Sequence, residues 1–131
     1  MWRVYHGELD GYKASDIVLL IGTNNLSVNT DEEIISGLDL LLNAIKIRQP
    51  EAKMLLMGLL PRRDLETRIA VLNKAIAKLA GLKNVVYLDT GKLLLDTNQK
   101  INEALFSDGI HPNTQGYDLL GRLIDSRLSK N

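Results

Sequence analysis

Three short aliphatic runs constrain the fold of this chain more than any other feature of its sequence. They occupy residues 17–21, 54–57 and 85–88, and they are followed or closed by Gly22, Gly58 and Asp89. None of them alternates between apolar and polar residues, as a half-exposed strand would. Unbroken apolarity of this length is typical of a parallel strand that is covered on both faces.

The segments between and after these runs carry apolar residues at helical spacing. Thr30 and Glu33 form a Thr-x-x-Glu capping box, which predicts the start of a first helix that ends before Pro50. A second helix is predicted from about Asp64 to Ala80, with Gly81 just past its end, and a third from about Thr114 to Leu128. The predicted buried positions are Ile34, Ile35, Leu38, Leu41, Leu42 and Ile45, then Ile69, Leu72, Ile76 and Leu79, then Tyr117, Leu120, Ile124 and Leu128.

Strand and helix thus alternate three times, which predicts an α/β fold with a parallel sheet and right-handed crossovers. The length of 131 residues and the 45% apolar content fit one domain.

Because 16 basic residues balance 16 acidic ones, we expect no nucleic-acid partner. There is no cysteine, and the two histidines lie far apart, so we predict no metal site and no cofactor. No apolar run approaches the roughly 20 residues of a membrane span.

A carboxylate stands three residues before an imidazole in the segment 106–113, where Asp108 precedes His111. That spacing lets a short turn hold Asp108 against the Nδ1–H of His111. The contact would fix the tautomer and leave Nε2 free to accept a proton from a nucleophile. The alternative is an ordinary solvated loop histidine. His6 has no such neighbour, and we interpret it as an exposed residue.

Asn24 is the second candidate, because it follows the first predicted strand directly. Ligands of parallel sheets bind beyond the carboxyl ends of the strands, and a carboxamide there can donate to a developing oxyanion. The alternative is a structural asparagine that caps its own turn. Residues 62–64, Arg-Arg-Asp, follow the second strand; we interpret them as solvated charges at a helix start, with contact to an anionic substrate group as the alternative.

In combination, Gly-Thr-Asn-Asn at 22–25 and Ser-Asp-Gly-Ile-His-Pro-Asn at 107–113 resemble two sequence blocks of the SGNH (GDSL-type) hydrolases. The likeness is strongest to the branch similar to the catalytic subunits of platelet-activating factor acetylhydrolase. It extends to residues 2–3, 7–9, 48–53 and 58–62. The resemblance implies a flavodoxin-like three-layer α/β/α fold and a carboxylic-ester hydrolase, of acylhydrolase or acetylesterase type, with a Ser-His-Asp mechanism.

The resemblance also implies a role for each candidate residue. Asn24 would be an oxyanion donor, His111 the general base and Asp108 the carboxylate that orients it. Gly22 and Asn25 would support the oxyanion turn. Asn25 stands where many members of the superfamily carry aspartate, a change that the acetylhydrolase-like branch shares. The implied substrate is a small acyl ester, such as an acetylated lipid or sugar.

The sequence departs from the family pattern in lacking the Gly-Asp-Ser motif that carries the nucleophile. By the resemblance, residues 1–131 form one domain, the C-terminal two-thirds of a fold truncated at its N-terminus, with about three strands retained. Ser27 and Ser107 lie near the expected rim but lack the setting of a nucleophile, so the nucleophile is unknown and would come from other residues. The alternative is a non-catalytic binding or interaction module derived from the fold.

The expected truncation has a consequence for the strand at Ile17–Ile21. In the complete fold it would pair on both sides, and without its upstream neighbour it becomes an apolar edge. We therefore expect it to pair with another copy of the chain or with an upstream polypeptide, or else the chain to be only marginally stable. The sequence leaves the cellular compartment open.

Overall fold

The strands and helices follow the predicted order in a computed structural model that describes residues 13–20 and 26–128. The helices α1, α2 and α3 alternate with the strands β1, β2 and β3. Their bounds are β1 Asp16–Leu20, α1 Asp31–Arg48, β2 Lys53–Met57, α2 Glu66–Leu82, β3 Val86–Leu88 and α3 Thr114–Arg127. Two 3₁₀ helices, Gly91–Leu94 and Glu103–Leu105, lie between β3 and α3.

The three described strands form one parallel sheet in the order β1-β2-β3. Ile17 aligns with Met54, and Leu55 aligns with Val86. Sequential parallel strands require crossover connections, which α1 and α2 supply. The predicted α/β class and the parallel sheet are therefore confirmed.

Strand β2 shows how the sheet is layered, because its side chains point alternately to its two faces. Met54 and Leu56 belong to the core formed with α1 and α2. Leu55 and Met57 pack on the opposite face, together with Leu88, with Ile124 of α3 and with Leu128 just past its end, the last two being half-buried. Helices thus cover both faces of the sheet, which gives the expected three layers.

The expectation of strands buried on both faces holds for β2 but is wrong for β1, and in β3 it fails at Val86, which is 37% exposed. Ile17 and Leu19 pack against the α1/α2 core and are half-buried. On the α3 side, Val18 is 37% exposed and Leu20 is 52% exposed. Helix α3 packs over β2 and β3, and among the described residues no element covers this side of β1. The apolar composition of residues 17–21 therefore predicted more burial for β1 than the structure shows.

The start of α1 follows the predicted capping box. The Glu33 N–H donates to Thr30 Oγ at 3.1 Å, and the Thr30 N–H donates to the Glu33 carboxylate at 2.9 Å. These two bonds satisfy donors that a helix N-terminus otherwise leaves unpaired, and they stabilise the helix by about 1 kcal/mol.

The predicted bounds of α2 are wrong at both ends. Asp64 has a φ of 68°, so its left-handed backbone excludes it from the helix, which begins at Glu66. Gly81 lies inside the helix, which ends at Leu82. Asn84, with a φ of 56°, takes the left-handed conformation after the helix. Asparagine adopts this conformation more readily than most residues, so it replaces the expected glycine.

One predicted buried position of α3 is wrong, whereas Leu120 and Ile124 point inward as predicted. Tyr117 is 52% exposed, whereas Gly116 and Leu120 are buried. A Cβ on Gly116 would lie 2.6 Å from the Leu105 carbonyl oxygen, so the helix approaches the second 3₁₀ helix at this glycine. Close approach at Gly116 turns Tyr117 toward solvent.

Candidate active site

Asp108 and His111 lie in a short loop between the second 3₁₀ helix and α3. Phe106 and Pro112 form an antiparallel bridge at the base of this loop. The Ser107 N–H and the Ser107 hydroxyl both donate to the His111 carbonyl oxygen, at 3.0 and 3.2 Å. These contacts close the loop, which we call the Asp–His loop and define as residues 106–112.

The carboxylate of Asp108 organises the interior of this loop. Its Oδ1 accepts the N–H groups of Ile110 and His111 at 2.9 and 2.7 Å. Its Oδ2 lies 2.9 Å from Nδ1 of His111. An ionised carboxylate only accepts hydrogen bonds, so this contact requires the hydrogen of the neutral imidazole to be on Nδ1. The structure thus brings the two predicted side chains together in the arrangement that their spacing suggested.

The same contacts favour the ionised form of Asp108. The hydrogen bond from the His111 side chain, followed by those from the backbone of His111 and Ile110, holds the pKa of Asp108 well below its usual range. The side chains of His111 and Asp108 are 66% and 50% exposed. No described residue makes a hydrogen bond to Nε2 of His111, so this nitrogen is accessible for proton transfer.

Arg63, which follows β2, contacts the tip of the Asp–His loop. Its N–H donates to the Gly109 carbonyl oxygen at 2.9 Å. Its guanidinium donates from Nε and Nη2 to the two carboxylate oxygens of Glu103, at 2.7 and 2.8 Å. The hydrogen bond and the charge of Glu103 raise the pKa of Arg63. Arg63 is exposed, as interpreted from the sequence, but it also pairs with the second 3₁₀ helix and touches the loop, which the sequence did not predict.

Asn113 ties the other end of the Asp–His loop to the second 3₁₀ helix. Its side-chain oxygen accepts the Gly116 N–H at 3.1 Å and caps α3. Its Nδ2 donates to the Ala104 carbonyl oxygen at 2.8 Å, and its backbone N–H donates to the Leu105 carbonyl oxygen at 2.8 Å. A single asparagine thus starts the helix and fixes the end of the loop.

The buried carboxylate of Glu66 anchors the chain that leads into this region. It accepts the Ile101 N–H at 3.2 Å. Burial raises the pKa of Glu66, but hydrogen bonds from its own N–H and from Ile101 outweigh burial and lower the pKa overall. A charge at the first turn of α2 is also favoured by the helix dipole. Sequence reasoning missed this contact, because 35 residues separate the two partners.

The predicted oxyanion side of the site, comprising Gly22, Asn24 and Asn25, lies outside the described residues, as does His6. Of the two serines considered, Ser27 is exposed, and Ser107 directs its hydroxyl to the His111 carbonyl oxygen rather than to the imidazole.

Among residues 13–20 and 26–128, no group of three or more histidine or acidic side chains could hold a metal ion. No helix in that part of the chain is both long and apolar enough to cross a bilayer.

A groove of about 570 Å³ lies beside this region, between α2 and the loop after β3. Its walls include Ile69, Tyr87 and Lys92, and neither Asp108 nor His111 lines it. Burial, followed by the charge of Asp89, raises the pKa of Tyr87 to about 12, so this phenol stays protonated at neutral pH. The groove is therefore separate from the Asp–His pair.

The fold and the loop together define a class: a three-layer α/β protein with a carboxylate–imidazole pair in the loop before its last helix. The model of the GDSL-like lipase/acylhydrolase family matches residues 1–119. The chain belongs to this family, and the family resemblance drawn from the sequence is confirmed.

Curated relatives and solved structures agree with this assignment. The human platelet-activating factor acetylhydrolase IB subunit alpha2 is 35% identical over 122 residues, which cover 89% of this chain and 53% of the relative. The chain thus spans about half the length of the curated relatives it matches. A Streptococcus pneumonia protein provisionally described as a platelet activating factor has a TM-score of 0.80 at 23% identity, covering 88% of this chain and 60% of that one. A GDSL-like lipase from Bacteroides thetaiotaomicron has a TM-score of 0.76 at 21% identity, covering 86% and 60%.

Proposed function

We propose that this chain carries the acid–base half of a carboxylic-ester hydrolase site, with a small acyl ester such as an acetylated lipid or sugar as substrate. The observation that carries the proposal is the 2.9 Å contact between Asp108 Oδ2 and His111 Nδ1, with Nε2 accessible. Membership of an acylhydrolase family supports ester hydrolysis as the reaction. The names of the acetylhydrolase relatives support an acetyl group as the acyl part.

In the proposed reaction, Nε2 of His111 takes the proton of a serine hydroxyl as its oxygen attacks the ester carbonyl carbon. Asp108 stabilises the resulting imidazolium, and the Asn24 carboxamide donates to the tetrahedral oxyanion, with Gly22 and Asn25 shaping its turn. The intermediate collapses as the C–O bond to the alcohol breaks, and His111 returns the proton to the leaving alkoxide. Water then repeats the sequence on the acyl-enzyme and releases the acid.

The serine is proposed to come from outside these 131 residues, since the sequence contains no Gly-Asp-Ser motif. Two features support this. The relatives are nearly twice as long as their matched part. The side chains of Val18 and Leu20 on β1 are partly exposed, and β2 is the one described strand that pairs with β1. We propose that an upstream polypeptide or another copy of the chain pairs along β1.

Complementation tests the hydrolase. Turnover of p-nitrophenyl acetate is measured with the chain alone and with an added segment that supplies a Gly-Asp-Ser strand. We expect activity only in the mixture, lost with His111→Ala and retained with the control His6→Ala. Strong turnover by the chain alone would refute the external serine. Ester binding without turnover in any mixture would favour the non-catalytic module instead.

Sedimentation velocity tests the pairing at β1. We expect concentration-dependent association of the chain, weakened by Leu20→Lys, because a charge on the open side of β1 opposes burial of that surface. The matched control is Leu40→Lys, which places the same charge on an exposed position of α1. A chain that stays monomeric and folded at all concentrations, and that binds no added strand, would contradict the pairing.

A further inference from the structure

Arg63 is the one described residue outside the Asp–His loop whose backbone makes a hydrogen bond to the tip of that loop. The other bonds of the tip are internal: Ser107 to His111, and Asp108 to Ile110 and His111. The Arg63 N–H reaches in from the end of β2 and donates to the Gly109 carbonyl oxygen at 2.9 Å. The position of the tip relative to the sheet therefore depends on Arg63.

The guanidinium of Arg63 packs directly on Gly109. A Cβ at residue 109 would lie 2.5 Å from Cζ of Arg63 and 2.7 Å from Nη1, which no side chain could accept without displacement. Gly109 also has a φ of 79°, in the left-handed region that favours glycine. Residue 109 is thus a glycine in a backbone conformation that would strain any residue with a side chain. The Arg63 guanidinium occupies the space where that side chain would lie.

Glu103 determines where the guanidinium points. Its two carboxylate oxygens accept Nε–H and Nη2–H of Arg63 in a forked pair, at 2.7 and 2.8 Å. Asp108 also attracts the Arg63 charge, although more weakly than Glu103 does. With its Nε–H and one Nη2–H bonded to Glu103, Arg63 stays on the Gly109 side of the loop and leaves Oδ2 of Asp108 to His111.

From these contacts we propose that Arg63 is a positioning residue for the Asp108–His111 pair, with Glu103 as the group that orients it. Arg63 acts through Gly109: it holds the loop tip so that Nδ1–H of His111 meets Oδ2 of Asp108. The consequence for catalysis rests on the proposed hydrolase function, whereas the effect on the imidazole does not. A misplacement of about 1 Å in a catalytic group can cost on the order of 100-fold in rate.

The ring nitrogens of His111 report this geometry directly. In ¹⁵N-labelled chain, the nitrogen shifts of the neutral imidazole distinguish hydrogen on Nδ1 from hydrogen on Nε2. We expect a single Nδ1–H form in the wild type and a mixture of the two tautomers in Arg63→Gln. Glu103→Gln should shift the populations in the same direction, because it frees the guanidinium to compete for Asp108. Arg63→Lys, which keeps a charged donor for Glu103, should restore part of the Nδ1–H population.

Arg62→Gln is the matched control, since it removes the adjacent guanidinium and leaves the contacts of Arg63 in place; the wild-type tautomer is expected. An unchanged Nδ1–H form in both Arg63→Gln and Glu103→Gln would overturn the proposal, as would a tautomer mixture in the wild type. If Arg63→Gln fails to fold, Glu103→Gln decides alone, because it retains the Arg63 side chain that packs on Gly109 and removes only the charge that orients it. No ester is involved, so a failed hydrolase assay leaves this result standing.

Discussion

The Asp–His loop and strand β1 are built in opposite ways. Within the loop, Asp108 alone accepts three hydrogen bonds from groups no more than three residues away. Strand β1 has one described neighbour, and two of its five side chains are more than a third exposed although they are apolar. The loop is held by hydrogen bonds among its own residues and by one from Arg63 to Gly109, whereas the strand exposes surface that a second element could cover.

This difference separates two parts of the proposed site. The acid–base pair takes its geometry from a local turn and from Arg63, which lies in the same chain, so it can form without the rest of a larger fold. Asn24, the proposed oxyanion donor, follows β1 along the chain. We therefore expect changes near the loop to act locally, and changes at β1 to depend on whatever covers it.

The largest contrast should come from truncating leucines in neighbouring strands. Leu56 of β2 is fully buried, so Leu56→Ala should lower the free energy of unfolding by about 2–5 kcal/mol. Leu20 of β1 is 52% exposed, so Leu20→Ala should cost about 1 kcal/mol or less. Urea denaturation at low protein concentration measures both values.

Protein concentration sharpens this contrast. If a second copy covers β1, the cost of Leu20→Ala should rise with concentration, while the cost of Leu56→Ala stays constant. Equal costs for the two variants at the lowest concentration would show that Leu20 is covered within the monomer. The contrast drawn between the Asp–His loop and the exposed strand β1 would then be wrong.

A smaller effect is expected at Gly109. Gly109→Ala places a Cβ against the Arg63 guanidinium and forces alanine to a φ of 79°. Such strain costs on the order of 1–3 kcal/mol. The control is Gly121→Ala in α3, where a Cβ meets nothing within 4 Å and alanine should stabilise the helix by about 0.5–1 kcal/mol. Thermal unfolding measures the change in stability of both variants. Equal changes would mean that the loop tip moves away from Arg63 and relieves the strain.

Much of the fold was predictable because it follows local rules. The capping box fixed the start of α1, and the apolar runs located all three described strands to within one residue at the N-terminal end. The errors came from tertiary contacts and local alternatives. Asn84 replaced Gly81 as the left-handed residue after α2, and close approach at Gly116 turned Tyr117 outward. Neither is visible in the apolar pattern of a single helix.

The same division applies to the site. Asp108 and His111 are three residues apart, so their contact follows from spacing and turn geometry. Arg63 and Glu103 are separated by 40 residues, and nothing in the sequence pairs one charge with the other. The available signal was Gly109, directly after Asp108, since a glycine can mark a position that another group approaches closely. The fold had to be known before that group could be identified as Arg63.

The smallest predicted effect concerns the ionisation of Asp108. Hydrogen bonds from the His111 side chain, then from the backbone of His111 and Ile110, lower the pKa of Asp108 in the folded chain. A lowered folded-state pKa means that the stabilisation is complete above the unfolded value of about 3.9, and is lost as the pH falls through the folded value. The melting temperature of Asp108→Asn should therefore lie below that of the wild type by a constant amount between about pH 5 and 7.

Below about pH 4 this difference should shrink, because protonation removes the same carboxylate from the wild type that the substitution removes from the variant. Asp125→Asn controls for the change in net charge, since it removes an exposed carboxylate from α3. Because Asp108 is exposed, the effect should be smaller than that of Leu56→Ala. A difference that persisted unchanged to the lowest pH would mean that the carboxylate charge does not hold the loop. The contrast between the internal hydrogen bonds of the loop and the exposed surface of β1 would then be wrong.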